Sequence, residues 1–245
     1  MRLFAIGDIH GCATALKVIL AAVGLQAGDK LVALGDYINK GPDSRTVLDE
    51  LIHLFDQNFL IPLLGNHELK LLEAGKVKQA QTKAGVLVDA HTLCSYDSGN
   101  DAMGLACIPE AHWRFVRENC LDWYMSEHHI FVHATLDVDK LLSCQSNQAL
   151  FWDKLIDPKP HPSGKVVICG HTPQRAGTPL NIGHAICIDT AACEGQWLTC
   201  LEVNSGQVWQ ANQQGQLRTS HIKDYYGVQK PTMVKRSNLG SCVLV

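Results

Sequence analysis

Seven side chains that can bind a metal ion or move a proton stand where apolar runs of this chain stop. The first run ends in Asp8 and His10, the second in Asp36, the third in Asn66 and His67. Two later runs end in His133 and His171. Carboxylate, amide oxygen and imidazole with no thiolate suit Mn²⁺, Fe or Zn²⁺ better than Cu(I) or an iron–sulfur cluster. Asp8, His10, Asp36, Asn66, His133 and His171 are too many ligands for one catalytic ion that keeps open positions. They suit two divalent ions that share a bridging carboxylate. Such a pair clamps the attacking and leaving oxygens of a displacement at phosphorus and lowers the pKa of a bridging water. His67 stands beside these ligands, and an imidazole of ordinary pKa can give a proton to the leaving oxygen near neutral pH.

The elements that must position these groups can be read around them. Residues 3–7 form a short apolar run, 12–25 carry helical spacing, and 30–36 form a second run. Residues 44–55 make an amphipathic helix with Ser44 as its candidate N-cap, and 59–66 form a third run. This strand–helix alternation predicts parallel neighbours in an α/β sheet, with ligands beyond the carboxyl ends of the strands. Residues 69–110 mix helical turns with polar stretches and read as a helical insertion over the site. The runs at 128–134 and 165–172 are two more buried strands ending in His. From about 184, HAICIDT, QWLTCLEV and QVWQA read as antiparallel strands. A tail begins near 215.

The chain has 245 residues, 46% of them hydrophobic and 18% charged, which suits one globular domain over 1–245 with a real core. A net charge of −3 gives no general pull toward DNA, RNA or an anionic membrane. The first apolar run is too short for a signal peptide or a membrane span. Ten Cys without a CxxC pair read as reduced thiols in a cytoplasmic protein.

GDIHG (7–11), GDYINKGP (35–42), GNHE (65–68), FVHA (131–134) and GHTP (170–173), in this order, resemble the calcineurin-like metallophosphoesterases. The likeness covers about residues 1 to 210. Within that family it leans toward the phosphoprotein phosphatase type, in its small bacterial and phage form. The resemblance implies a four-layer α-β-β-α sandwich of two mixed sheets with helices outside. It implies Asp8 and His10 on a first metal, Asp36 as the bridge, and Asn66, His133 and His171 on a second, with Mn²⁺ expected first. It implies attack by a metal-bridging hydroxide, with His67 as general acid.

Two positions depart from the pattern. The protein phosphatases have GDxVDRG where this chain has Asn39 and Lys40. Asn39 is expected to accept a hydrogen bond from His67 through its side-chain oxygen. It brings no charge, so it supports the imidazolium less than Asp. Lys40 keeps the charge but loses the bidentate fork of Arg. The second phosphate clamp of the family falls on FWDKL and gives Lys154. Arg45 and Arg175 lie close enough to the motifs to compensate.

The first substrate expectation is therefore a phosphoserine or phosphothreonine protein or peptide, with phosphotyrosine also in reach. The alternative is a dinucleoside polyphosphate such as diadenosine tetraphosphate. That branch also lacks the Asp at position 39, but it keeps the Arg and has GNHD. A regulatory binding module with vestigial activity is the reading from another class. The final CVLV fits a prenylation motif, which four residues match easily by chance.

Overall fold

The computed structural model describes residues 1–76, 87–97 and 104–227. The CVLV terminus, and the middle of the 69–110 segment, lie outside the described residues. Two mixed sheets stack face to face. The six-stranded sheet has the order β11-β10-β9-β1-β2-β3. Its parallel half is β1 (Leu3–Ile6), β2 (Lys30–Ala33) and β3 (Leu60–Pro62), in the register Phe4, Leu31, Leu60. Its antiparallel half is β9 (Leu198–Glu202), β10 (Gln207–Ala211) and β11 (Leu217–His221).

The five-stranded sheet has the order β4-β5-β6-β8-β7. Its strands are β4 (Trp123–Met125), β5 (His129–Val132), β6 (Val166–Cys169), β7 (Leu180–Asn181) and β8 (Ala185–Cys187). β5, β6 and β8 run parallel, with β4 and β7 antiparallel at the edges. β8 is thus parallel to β6, where the sequence suggested the start of an antiparallel run.

The alternation of side chains across each strand explains the unbroken apolar runs. Leu3 and Ala5 of β1 face the second sheet, and meet Phe131 and Ile168 in the layer between the sheets. Phe4 and Ile6 of the same strand face outward, under α1 (Ala13–Val23) and α2 (Ser44–Asp56). A strand buried on both faces has no polar side to show. Each fully buried Leu, Ile or Phe here contributes about 1.5–3 kcal/mol relative to exposure. On the far side, α5 (Asn147–Phe151) lays Leu150 and Phe151 against Ile130 and Val132. The layers run α-β-β-α.

Local chemistry sets the helix ends. α2 is capped by Asp43, whose carboxylate accepts from the Thr46 N–H at 3.0 Å. Ser44, expected as the cap, is the first helical residue. α1 stops at Gly24 in the left-handed conformation. Residues 217–221, expected to belong to the tail, form the edge strand β11. After an exposed Leu217 its side chains are polar and partly exposed, so no apolar run announces it. No helix among the described residues is long and apolar enough to cross a membrane.

Candidate metal centre

Loops at the carboxyl ends of the central strands are zipped to one another by their own backbone. The Asp36 carbonyl accepts from the Ile9 and His10 N–H groups at 3.1 and 2.8 Å, and the Tyr37 carbonyl from Gly11 at 2.8 Å. Gly41 packs so tightly beneath this pair that a Cβ there would stand 1.9 Å from the His10 carbonyl oxygen. His10, Asp36, Asn39, Lys40 and His171 all have positive φ, between 45° and 70°. A non-glycine residue is costly in that region, and such strain gathers where a site over-determines the backbone.

Glu68 of α3 (Asn66–Lys76) holds the frame from below. It is fully buried and accepts from the N–H groups of Asp36, Tyr37 and Gly65 at 2.7, 2.8 and 3.0 Å. His67 donates its backbone N–H to Asp36 Oδ1 at 3.0 Å. Two motifs far apart in sequence are thereby fixed to one carboxylate.

Asp36 stands at the middle. His10 Nε2 lies 3.3 Å from its Oδ2, and His133 Nε2 lies 3.4 Å from its Oδ1. Each imidazole has its other nitrogen committed. His10 Nδ1 donates to the Ile38 carbonyl and His133 Nδ1 to the Leu34 carbonyl, both at 2.8 Å. In neutral rings both Nε2 atoms are then lone pairs aimed at carboxylate oxygens. The Asn66 Oδ1 likewise points at acceptors, His133 Nε2 and both Asp36 oxygens. Acceptors turned toward one another call for a cation between them. His10, Asp36 and His67 form one group with metal-ligand spacing, and Asp36, His133 and His171 form another. The donor set fits two hard or borderline divalent ions flanking Asp36.

Electrostatics agree with that use. Burial pushes His10 down to about 4 and lowers His133 as well, which keeps both rings neutral. His171 is also lowered by burial, to about 4, and its Nε2 meets the Trp152 carbonyl at 3.1 Å, so Nδ1 is the free ligand atom. Burial works against the Asp36 carboxylate, yet His133, His10 and His67 together draw its pKa below the ordinary range. Asp8 is raised by burial and then by Asp189 and Asp36, and its oxygens accept from the His171 N–H at 3.1 and 3.2 Å. A carboxylate held in such company needs a cation to stay ionised.

Asn39 and His67 touch, but in the reverse of the expected sense. Asn39 Oδ1 is occupied by the Asp89 N–H at 2.9 Å and the Thr92 hydroxyl at 3.1 Å. Its Nδ2 therefore faces His67 Nδ1, at 2.9 Å, and donates. The partners that turn the amide come from the next described helix: Asp89 is the N-cap of α4 (Ala90–Tyr96), and Thr92 lies in its first turn. Nδ1 of His67 must accept, so the ring proton sits on Nε2, which is turned toward Asp36 Oδ2 at 3.9 Å. Burial holds His67 low, at about 3, with Asp36 opposing.

The two expected phosphate clamps fall on the rim. Lys40 reaches into the centre, its Nζ 2.8 Å from His10 Nε2. Lys154 donates to the His171 carbonyl at 2.7 Å, which ties it to the loop of a candidate ligand. Arg175 is paired with Glu194 at 2.8 Å and Arg45 reaches Asp49 at 4.0 Å, so neither points at Asp36. Sequence reasoning passed over Glu68 as a frame residue, and over Asp189, whose buried carboxyl is raised to about 6. It also passed over Lys70. The available signal was spacing: Lys70 follows Asn66 by four residues on α3, so both lie on one helix face.

A family model described as calcineurin-like phosphoesterase matches residues 1–186, and the chain belongs to this family. It is 42% identical over 93 residues to a symmetrical bis(5'-nucleosyl)-tetraphosphatase of Acidovorax sp. (strain JS42). That alignment covers 36% of this chain and spans about a third of the relative, 32% of its length. Among solved structures, a candidate diadenosine tetraphosphatase matches with TM-score 0.61 and 22% identity, over 90% of this chain and 93% of that one. A cold-active protein-tyrosine phosphatase of a psychrophile, Shewanella sp., matches with TM-score 0.59 and 16% identity, over 89% and 80%. At these identities the two structures speak for the fold alone.

Proposed function

We propose that the chain is a metal-dependent phosphohydrolase that cleaves the central phosphoanhydride bond of dinucleoside polyphosphates, giving two nucleoside diphosphates. The carrying observation is the Asn39 amide donating to His67 Nδ1. An imidazolium has two N–H groups, and one would then face another N–H. His67 is therefore kept as a neutral ring with its proton on Nε2, which can donate a hydrogen bond but is a poor acid. A serine alkoxide is a poor leaving group and needs a strong acid. A nucleoside diphosphate leaves readily without one. The curated symmetrical tetraphosphatases similar to this chain support the same substrate class.

This reading takes the place of the phosphoprotein substrate expected first from the sequence. His10, Asp36 and Asp8 would hold one divalent ion, and Asn66, Asp36, His133 and His171 the other. The bound ions supply Lewis acidity and an activated water for in-line attack. Asp36 lies between the two ligand groups and would be shared by both ions, His67 Nε2–H would hydrogen-bond an oxygen of the reacting phosphoryl group, and Lys40 would add positive charge beside His10. Asn39 is a positioning residue for His67, and Lys154 one for His171.

Product analysis tests this. Diadenosine tetraphosphate incubated with the Mn²⁺-loaded chain should give ADP alone. AMP with ATP as products, or no turnover while a phosphoserine peptide is hydrolysed, would overturn it.

A further inference from the structure

Trp152 is anchored beside the second half of the centre by its own backbone, because its carbonyl meets His171 Nε2 at 3.1 Å. The residue is nevertheless 39% exposed, unusual for so large an apolar side chain. The Lys70 ammonium lies over that indole, 5.4 Å from the ring centroid. Lys70 sits one helical turn after Asn66, on the same face of α3. Lys70 therefore shares a helix face with the candidate ligand Asn66 and reaches a Trp152 ring that is partly exposed to solvent.

Resting on the functional reading above, we propose that Lys70 and Trp152 form the nucleotide subsite: Lys70 takes a phosphate next to the scissile one and Trp152 stacks the base. A cation over an exposed ring is weakly held. A phosphate oxygen makes a stronger charge-assisted partner for the ammonium and draws it off the indole. The vacated face then meets a base that the polyphosphate tether has brought there. Stacking on an aromatic platform is tolerant of base identity. A recess of about 460 Å³ on the outer face of the second sheet suits a tethered anion less, because its wall sets Asp137, Asp139 and Asp153 against Lys154 and Lys159.

The test is a KM and kcat split on diadenosine tetraphosphate for Trp152→Ala, Trp152→Phe and Lys70→Ala, with ADP binding to each protein measured by calorimetry. Trp152→Ala should raise KM and the ADP Kd about tenfold with kcat changed less than about threefold. Trp152→Phe should stay within about threefold of the parent, and Lys70→Ala should weaken ADP more than adenosine. Unchanged KM and ADP Kd in Trp152→Ala, or a Phe variant as weak as Ala in a folded protein, overturns the subsite. If diadenosine tetraphosphate is not hydrolysed but ADP binding still falls in Trp152→Ala, the subsite stands and the functional reading fails.

Discussion

Asn39 donates its side-chain amide to Nδ1 of His67 at 2.9 Å, because Asp89 and Thr92 have already taken its oxygen. Asp89 and Thr92 thus decide which ring nitrogen of His67 carries the hydrogen. Asn39→Asp keeps both acceptor contacts to Asp89 and Thr92 and turns the third group into an acceptor. His67 can then hold Nδ1–H and become an acid. The variant should gain on alkyl phosphates, which need that acid, by about tenfold or more in kcat/KM, and change little on diadenosine tetraphosphate. Rates on both substrates check it, and equal effects on the two would contradict it.

Removing the ions should cost stability as well as activity. The lone pairs of His10 and His133 face the Asp36 oxygens at 3.3 and 3.4 Å, acceptor against acceptor. An ion bound only by the folded chain stabilises by about 2.7 kcal/mol at a hundredfold excess over Kd. For a chain of this length that is about 5–10 °C in Tm. Thermal melts with chelator, and with Mn²⁺ restored, should differ by that amount. Coincident melts would sink the two-ion assignment.

Glu68→Gln should loosen the frame. The carboxylate accepts from four backbone N–H groups, those of Asp36, Tyr37, Ile38 and Gly65, while fully buried. A Gln amide would turn an N–H₂ toward one or more of them, at about 1–3 kcal/mol. Urea melts should show the loss, and metal content should fall with it because Asp36 hangs from the same hydrogen bonds.

How much of this was legible beforehand depended on burial. β1, β2, β3, β5 and β6 are covered on both faces, so their apolar runs gave them away, and each ran out at a polar residue of the site. β11 is a polar edge strand and shows no such run. The Asn39 amide could be placed beside His67 from the motif, but its orientation is set by Asp89 and Thr92, fifty residues on, in a segment without a readable pattern. Lys70 was within reach of spacing once α3 was known to start at Asn66.

Far from the site, Arg2 and Asp29 give a clean pH test. The Arg2 guanidinium, with backbone N–H groups beside it, holds Asp29 down to about 2 from an ordinary 3.8. A depressed carboxyl adds stability above its unfolded pKa and loses it as pH falls through the folded one. Asp29→Asn should therefore cost about 1–2 kcal/mol at pH 7, after discounting for the part-exposed Arg2. The gap from the parent should close between about pH 4 and pH 2 in urea melts. A gap that persists at pH 2 would show that Asp29 acts through packing instead.

The most direct measurement of the central claim sets diadenosine tetraphosphate against a phosphoserine peptide, with Mn²⁺, on one protein preparation. A neutral His67 held by Asn39 predicts a kcat/KM ratio of at least about a hundredfold in favour of the dinucleotide, the usual reach of general acid catalysis that the peptide would lack. A ratio near one, or in favour of the peptide, would contradict it.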